Sequence, residues 1–247
     1  GHYMSKAGKE SPDLNPETDM FKIDDPERRG DGVLNPYDIY KNETYRYREY
    51  WGNRKIANRL VEKLRTAGYT VKDMYESDKA AKDYKNFGGK TNALYNDLKN
   101  QGKTMIIVSI HSNAAANSGW GGGNFWSIYC QRDDISDVYN PNTSYTLAKC
   151  IAKKAKDIFK DPKNADILPV VGDKKMSVKT TPQTFTDEPG KKYRPTTMSH
   201  APAVLSENLF HDTKSHVKFL GSQKGREMIA EIHYQGIVAF FDEMQKS

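Results

Sequence analysis

The sequence predicts an α/β fold, with a mainly parallel central sheet and helices on both faces, built as a single domain over residues 1–247. Three observations carry that expectation. Helix-period apolar stretches alternate along the chain with short β-branched runs, the pattern of strands joined by helical crossovers. The run Met-Ile-Ile-Val-Ser-Ile at 105–110 is apolar almost throughout, as expected of a strand covered on both faces. No internal repeat and no Pro/Gly/Ser linker divides the chain, and 247 residues are long for one domain but short for two.

The elements follow in order. Residues 11–48 are polar, bear Pro and Tyr, and keep no sustained period. Asn53 to Thr66 predicts a helix, because Ile56, Leu60 and Leu64 recur every four residues beside Ala57 and Val61, and Gly68 stands where a stop belongs. Tyr69–Met74 alternates like a strand, and 75–100 reads as mixed helix and loop. After the strand at 105–110, the Gly121-Gly122-Gly123 turn leads into a second strand at Phe125–Cys130. Residues 144–159 predict a helix, with Leu147, Ile151 and Ile158 on one stripe and Lys153, Lys154 and Lys156 outside it. The polar segment 161–199 holds one short strand around Met176–Lys179, Ala203–Ser206 is a short buried strand, and Gly225 to Met244 forms a closing helix on Ile229, Ile232, Ile237, Phe240 and Phe241.

Composition narrows the function. Lys+Arg number 38 against Asp+Glu 32, a formal net charge of +6. The basic residues are scattered among acids, without the concentrated stripe or motif of a nucleic-acid binder. Mean hydropathy of −0.83 implies a polar surface with long loops. No apolar run approaches the ~20 residues that span a bilayer, and no charged-then-apolar leader opens the sequence. Two cysteines, Cys130 and Cys150, are too few for a disulfide scaffold or a Cys-rich zinc site, and read either as two reduced, buried thiols or as a single bridge.

Chemistry concentrates where strands end, the usual place for ligands in open α/β sheets. The strand at 105–110 delivers His111, in Val108-Ser109-Ile110-His111-Ser112-Asn113-Ala114, and the strand at 203–206 delivers Glu207, in Pro202-Ala203-Val204-Leu205-Ser206-Glu207-Asn208. Singly, each also reads as a hydrogen-bonded structural histidine or a solvated, capping glutamate. None of the 6 histidines forms a helical His-Glu-x-x-His pair, so a zinc site would draw its ligands from distant segments. His216, on a short helix after Asp212, and His233, on the last helix, take solvated or packed roles.

The His111 segment resembles the Ser-Ile-His-x-Asn-Ala element of the zinc-dependent N-acetylmuramoyl-L-alanine amidases, the amidase type 3 family. Pro202-Ala203-Val204-Leu205-Ser206-Glu207-Asn208-Leu209-Phe210 resembles that family's Pro-Ala-Val-Leu-x-Glu-x-x-Phe element. Gly1-His2, followed by Gly8-Lys9-Glu10-Ser11-Pro12, is similar to its opening Gly-His loop. Glu49-Tyr50-Trp51-Gly52-Asn53-Arg54 is similar to the glutamate segment that opens its first long helix. The four motifs run in the family's order and cover essentially the whole chain.

The resemblance implies a mechanism. His2, Glu49 and His111 would bind one Zn²⁺ per chain, and Glu207 would act as the catalytic acid–base group. Asn113 would hold substrate, or equally would cap a turn. The substrate would be peptidoglycan, cut between N-acetylmuramic acid and L-alanine, outside the cytoplasm, by a wall-remodelling enzyme or a phage-type lysin. Charge distribution and run lengths have already pointed to no nucleic-acid partner and no membrane span, and the resemblance leaves room for an activator protein. It further implies a first strand upstream of Gly1, and it marks residues 13–48 as a long insertion. There Tyr37, Tyr40, Tyr45 and Tyr47 would line a groove or pack the loop onto the domain. Two other readings stand beside this one: a catalytically silent peptidoglycan-binding module of the same fold, and a zinc peptidase acting on stem peptides. The +6 charge is compatible with an acidic wall polymer.

Overall fold

The computed structural model describes Pro12 and residues 37–40, 44–73, 87–115, 119–130, 141–164, 176–180 and 200–246. A hairpin comes first: β1 (Tyr37–Tyr40) pairs antiparallel with β2 (Thr44–Tyr47), inside the stretch whose sequence shows no sustained period. Helix α1 (Glu49–Thr66) follows at once. Its predicted stripe is real, since Ile56, Leu60 and Leu64 are all buried. Gly68 ends it in the left-handed region at φ +89°. There the Gly68 and Tyr69 amides donate to the Arg65 and Leu64 carbonyls, satisfying the last turn.

The strand expected at Tyr69–Met74 is absent from its described residues, 69–73. The alternation recorded something else. Tyr69 and Val71 do pack on the core, with the Tyr69 ring stacked on Phe241 at 5.4 Å. The segment is held by side chains instead of a ladder: Arg65 donates to the Val71 carbonyl, and Arg54 pairs with Asp73 at 2.8 Å. Met74 lies outside the described residues.

Helix α2 (Phe87–Asn100) leads to β3 (Ile107–Asn113), and β4 (Trp126–Cys130) leads to α3 (Pro141–Lys160). The short strand β5 (Met176–Thr180) lies where the sequence placed it. The chain closes with β6 (Ala203–Phe210), α4 (Lys214–Gly221) and α5 (Gln223–Met244). The larger sheet runs β3-β6-β4-β5. It is mixed: β3–β6 and β4–β5 are parallel, whereas β4 runs antiparallel to β6. The coarse α/β expectation stands, but the mainly parallel sheet is not borne out, because β4 enters at the centre antiparallel to β6.

Side-chain alternation sorts the sheet into two faces. Ile110, Ile128, Cys130 and Val204 lie on the face packed with the α1, α3 and α5 core residues Ile56, Leu147, Ile151, Ile229 and Phe240. On the other face Tyr95 of α2 and Met105 pack over Ile107, Ala201 and Ala203. Helices therefore flank both faces, and the second cluster sits at the end of β3 and β6 away from Glu207. Both cysteines are free, but only Cys130 is buried; Cys150 is half-exposed, and burial beside Glu243 pushes its thiol up to about 11.

The crossing of α3 and α5 depends on a missing side chain. A Cβ on Gly236 would stand 2.5 Å from the Ile151 Cα, which is backbone and cannot rotate away. Gly236→Ala is expected to push the helices apart at a cost of about 1–3 kcal/mol, which lowers Tm by roughly 2–4 °C per kcal/mol. Thermal unfolding followed by circular dichroism checks this, and an unchanged Tm would contradict the close approach.

Candidate active site

The candidate residues come together from three elements. Glu49 is the first residue of α1, where the helix N-terminus favours negative charge. The turn into it is tight: Tyr47 is fully buried, and any Cβ at Gly52 would collide with the Tyr47 ring. That explains the glycine in Tyr50-Trp51-Gly52 and answers part of the tyrosine question, since Tyr47 packs onto the domain. The side chains of Tyr37, Tyr40 and Tyr45 lie outside the described residues.

His111 and Glu207 do not follow their strands, as the sequence suggested; they lie inside them. Strand β3 continues to Asn113 and β6 to Phe210. His111 is the register partner of Glu207, and Ser127 of β4 is its partner on the other side. Neighbouring strands stand about 4.8 Å apart, so Ser127, Glu207 and His111 form a row on the face opposite the main core. Ser127 is fully buried, and its hydroxyl has no hydrogen-bond partner among the described residues.

Glu49 reaches this row from α1. Its Oε1 lies 3.0 Å from His111 Nδ1, and both residues are buried. The second ring nitrogen, Nε2, lies 3.0 Å from Ser109 Oγ. Asn53, one turn beyond Glu49, directs Nδ2 at the same Oε1 from 3.4 Å, while its buried Oδ1 has no partner among the described residues. A buried carboxylate and imidazole suit a zinc ion as donors. Two ligands of a tetrahedral zinc stand about 3.3 Å apart, close to the observed separation. The pair therefore fits two of the three expected ligands. Among the described residues no cluster of three His, Cys, Asp or Glu is present. The third expected ligand, His2, lies outside the described residues.

A distortion next to Glu207 shapes the site. Between His111↔Glu207 and Asn113↔Phe210 the register shifts, so β6 carries one more residue than β3. Leu209 absorbs it with φ +67°, the one non-glycine residue in the left-handed region among the described residues. Plain alternation would put Leu209 on the same face as Glu207. The bulge turns it into the main core instead, fully buried with Val204 and Val217. An apolar side chain is thereby kept off the surface beside the carboxylate.

Asn113 Oδ1 accepts from the adjoining Ala114 amide at 2.8 Å. Its carbonyl accepts from the His211 amide at 2.8 Å. Asp212, which sequence reasoning passed over, ties down the loop beyond: its Oδ2 accepts from the Ala115 amide and its carbonyl from the Gly121 amide, both at 2.7 Å. Thr213 adds a bond to the Gly123 carbonyl at 3.0 Å. The only sequence signal was negative: Gly121 leaves room for Asp212, whose Oδ2 would stand 2.6 Å from a Cβ there. His216 and His233 are both packed. Burial lowers each imidazole to about 4, so both stay neutral near pH 7.

The family model for N-acetylmuramoyl-L-alanine amidase matches residues 37–239. No curated protein matches the chain in sequence. Among solved structures the chain is similar to Cwp6 from Clostridium difficile, at 25% identity and TM-score 0.55, over 78% of this chain and 25% of that one. It thus spans a quarter of that protein's length. It is similar in fold to Ami1, the N-acetylmuramyl-L-alanine amidase of Mycobacterium smegmatis, at 15% identity and TM-score 0.55, over 87% and 92% of the two chains. A third likeness in fold is to the catalytic domain of CwlV, an N-acetylmuramoyl-L-alanine amidase from Bacillus (Paenibacillus) polymyxa var. colistinus, at 17% identity and TM-score 0.52, over 79% and 86%.

Proposed function

The chain belongs to the N-acetylmuramoyl-L-alanine amidase family, and from that premise we propose that it hydrolyses peptidoglycan with one zinc ion, Glu207 acting as general base and then general acid. The bond cut joins the lactyl group of N-acetylmuramic acid to L-alanine of the stem peptide. The observation that carries the reading is the convergence of Glu49 and His111 at 3.0 Å beside Glu207, the register partner of His111. Glu49 and His111 hold the metal, with His2 as the third ligand. When bound, zinc polarises the scissile carbonyl and brings the pKa of water toward ~7.

The chain's own groups do the rest. Glu207 accepts a proton from the attacking water and returns it to the departing L-alanine nitrogen, which makes that amine a viable leaving group. Its backbone sits within the sheet between β3 and β4, so the carboxylate is carried on a rigid element rather than a loop. Among the described residues no helix is long and apolar enough to cross a membrane. The polymer substrate places the site of action outside the cytoplasm.

Mass spectrometry of peptidoglycan incubated with the protein tests this reading. Free stem peptides beginning at L-alanine are expected, together with glycan strands keeping their lactyl groups, and chelation should suppress both. Release of single amino acids with the glycan–peptide bond intact would identify a peptidase instead. Binding to the wall without zinc or cleavage would identify a silent module.

A further inference from the structure

Behind the candidate site, on the core face of the sheet, runs a chain of buried polar side chains that the proposed chemistry does not use. Ser206 and Asn208 flank Glu207 in sequence, so alternation turns both away from it. Both are fully buried, as are Trp126 and His233. The Trp126 indole Nε1 donates to Asn208 Oδ1 at 2.9 Å. Asn208 Nδ2 donates to the His111 carbonyl at 3.0 Å and to Ser206 Oγ at 2.9 Å. Ser206 Oγ lies 2.8 Å from His233 Nε2, and His233 Nδ1 lies 2.7 Å from the Ile229 carbonyl.

The two ends of this chain dictate every hydrogen in it. An indole nitrogen can only donate and a carbonyl can only accept. The Asn208 amide must therefore turn its oxygen to Trp126, leaving two N–H donors for the His111 carbonyl and Ser206. His233 must carry its proton on Nδ1, so Nε2 accepts from the Ser206 hydroxyl. Burial keeps the ring neutral, as that arrangement requires. The Ser206 hydroxyl has a second, longer acceptor in the Ser109 carbonyl at 3.5 Å. Its single hydrogen goes to the shorter bond.

The placement gives the chain a use. It anchors the residues on both sides of Glu207, Ser206 to α5 and Asn208 to β3 and β4. It also grips the carbonyl of His111 where the β3–β6 register shifts. We propose that Trp126, Asn208, Ser206 and His233 form a positioning relay that sets Glu207 against His111 from behind the sheet, making α5 part of the apparatus that aligns the reaction. This rests on the amidase reading of Glu207 and His111. Removing groups that orient a metal ligand or catalytic side chain typically lowers activity ten- to a hundredfold.

Ser206→Ala deletes the central link and touches neither substrate nor metal. The expected result is a kcat roughly 10–100-fold lower, with KM and zinc content close to wild type. Ile237→Ala, in the same core but outside the relay, is the control: it should lower Tm comparably and keep wild-type kcat well below Tm. His233→Phe is a second variant for a Ser206→Ala protein that does not fold, because it fills the site and leaves Ser206 the Ser109 carbonyl as acceptor. Nitrogen-15 NMR of wild type should show His233 neutral and protonated on Nδ1, with the Nε2 resonance shifted in Ser206→Ala. Wild-type kcat in folded Ser206→Ala or His233→Phe would overturn the positioning role, and an Nε2-protonated His233 would overturn the relay itself. Failure of the amidase reading looks different: wild type then releases no stem peptide, while the NMR signature still tests the relay.

Discussion

Glu207→Gln is expected to lower kcat by about 10²–10⁴-fold, the usual contribution of a positioned general base, while the protein still binds zinc stoichiometrically. The substitution keeps the size and planarity of the side chain, so the row formed by Ser127, residue 207 and His111 should survive. What disappears is the ability to hold the water proton and deliver it to the leaving nitrogen. Because Glu207 is not among the proposed ligands, metal content separates chemistry from site collapse. Zinc measured by atomic absorption beside stem-peptide release gives the answer. Full activity in Glu207→Gln would sink its role, and loss of zinc along with activity would move Glu207 into the metal site. The Leu209 bulge sharpens the expectation, because it withdraws an apolar side chain that alternation would have set on the same face as residue 207.

Local periodicity made much of this fold legible. The stripe Ile56, Leu60 and Leu64 needs only its own helix to be read, and all three residues are buried. The run 105–110 announced β3 because β-branched apolar residues broken only by Ser109 suit a strand covered on both sides. Elements that depend on partners were less legible. Tyr69 and Val71 alternate inward like strand residues, but a strand also needs a neighbour, and here Arg65 and Asp73 hold the segment. The β1–β2 hairpin was missed because each strand has four residues and the connection Lys41-Asn42-Glu43 carries no glycine to mark a turn.

The site divides in the same way. Glu49 and His111 are 62 residues apart, and only the family resemblance joined them before the geometry did. No composition or spacing signals that Leu209 takes φ +67°, since a leucine there is strained and held by its surroundings. The relay through His233 is equally invisible. It links Ser206 to a helix 27 residues later, and its parts read individually as ordinary core polar groups.

The second large effect concerns the Glu49–His111 pair, because two physical accounts of its 3.0 Å contact make opposite predictions. If the pair is a structural ion pair, breaking it leaves a buried partner uncompensated, at a cost of about 3–5 kcal/mol. If the two are ligands, their main stabilising partner is the metal. Glu49→Gln distinguishes the accounts, since the amide retains an oxygen for Asn53 Nδ2 but is a far poorer zinc donor than a carboxylate. We expect the chelator-treated variant to unfold near the Tm of chelator-treated wild type. Added zinc should then stabilise wild type, by about 4 kcal/mol at a thousandfold excess over Kd, and leave Glu49→Gln almost unmoved and inactive. Thermal scans of both proteins with and without zinc, paired with stem-peptide release, make the comparison. A variant that loses Tm equally with and without zinc would make the contact structural, and one that keeps both zinc and turnover would remove Glu49 from the ligand set.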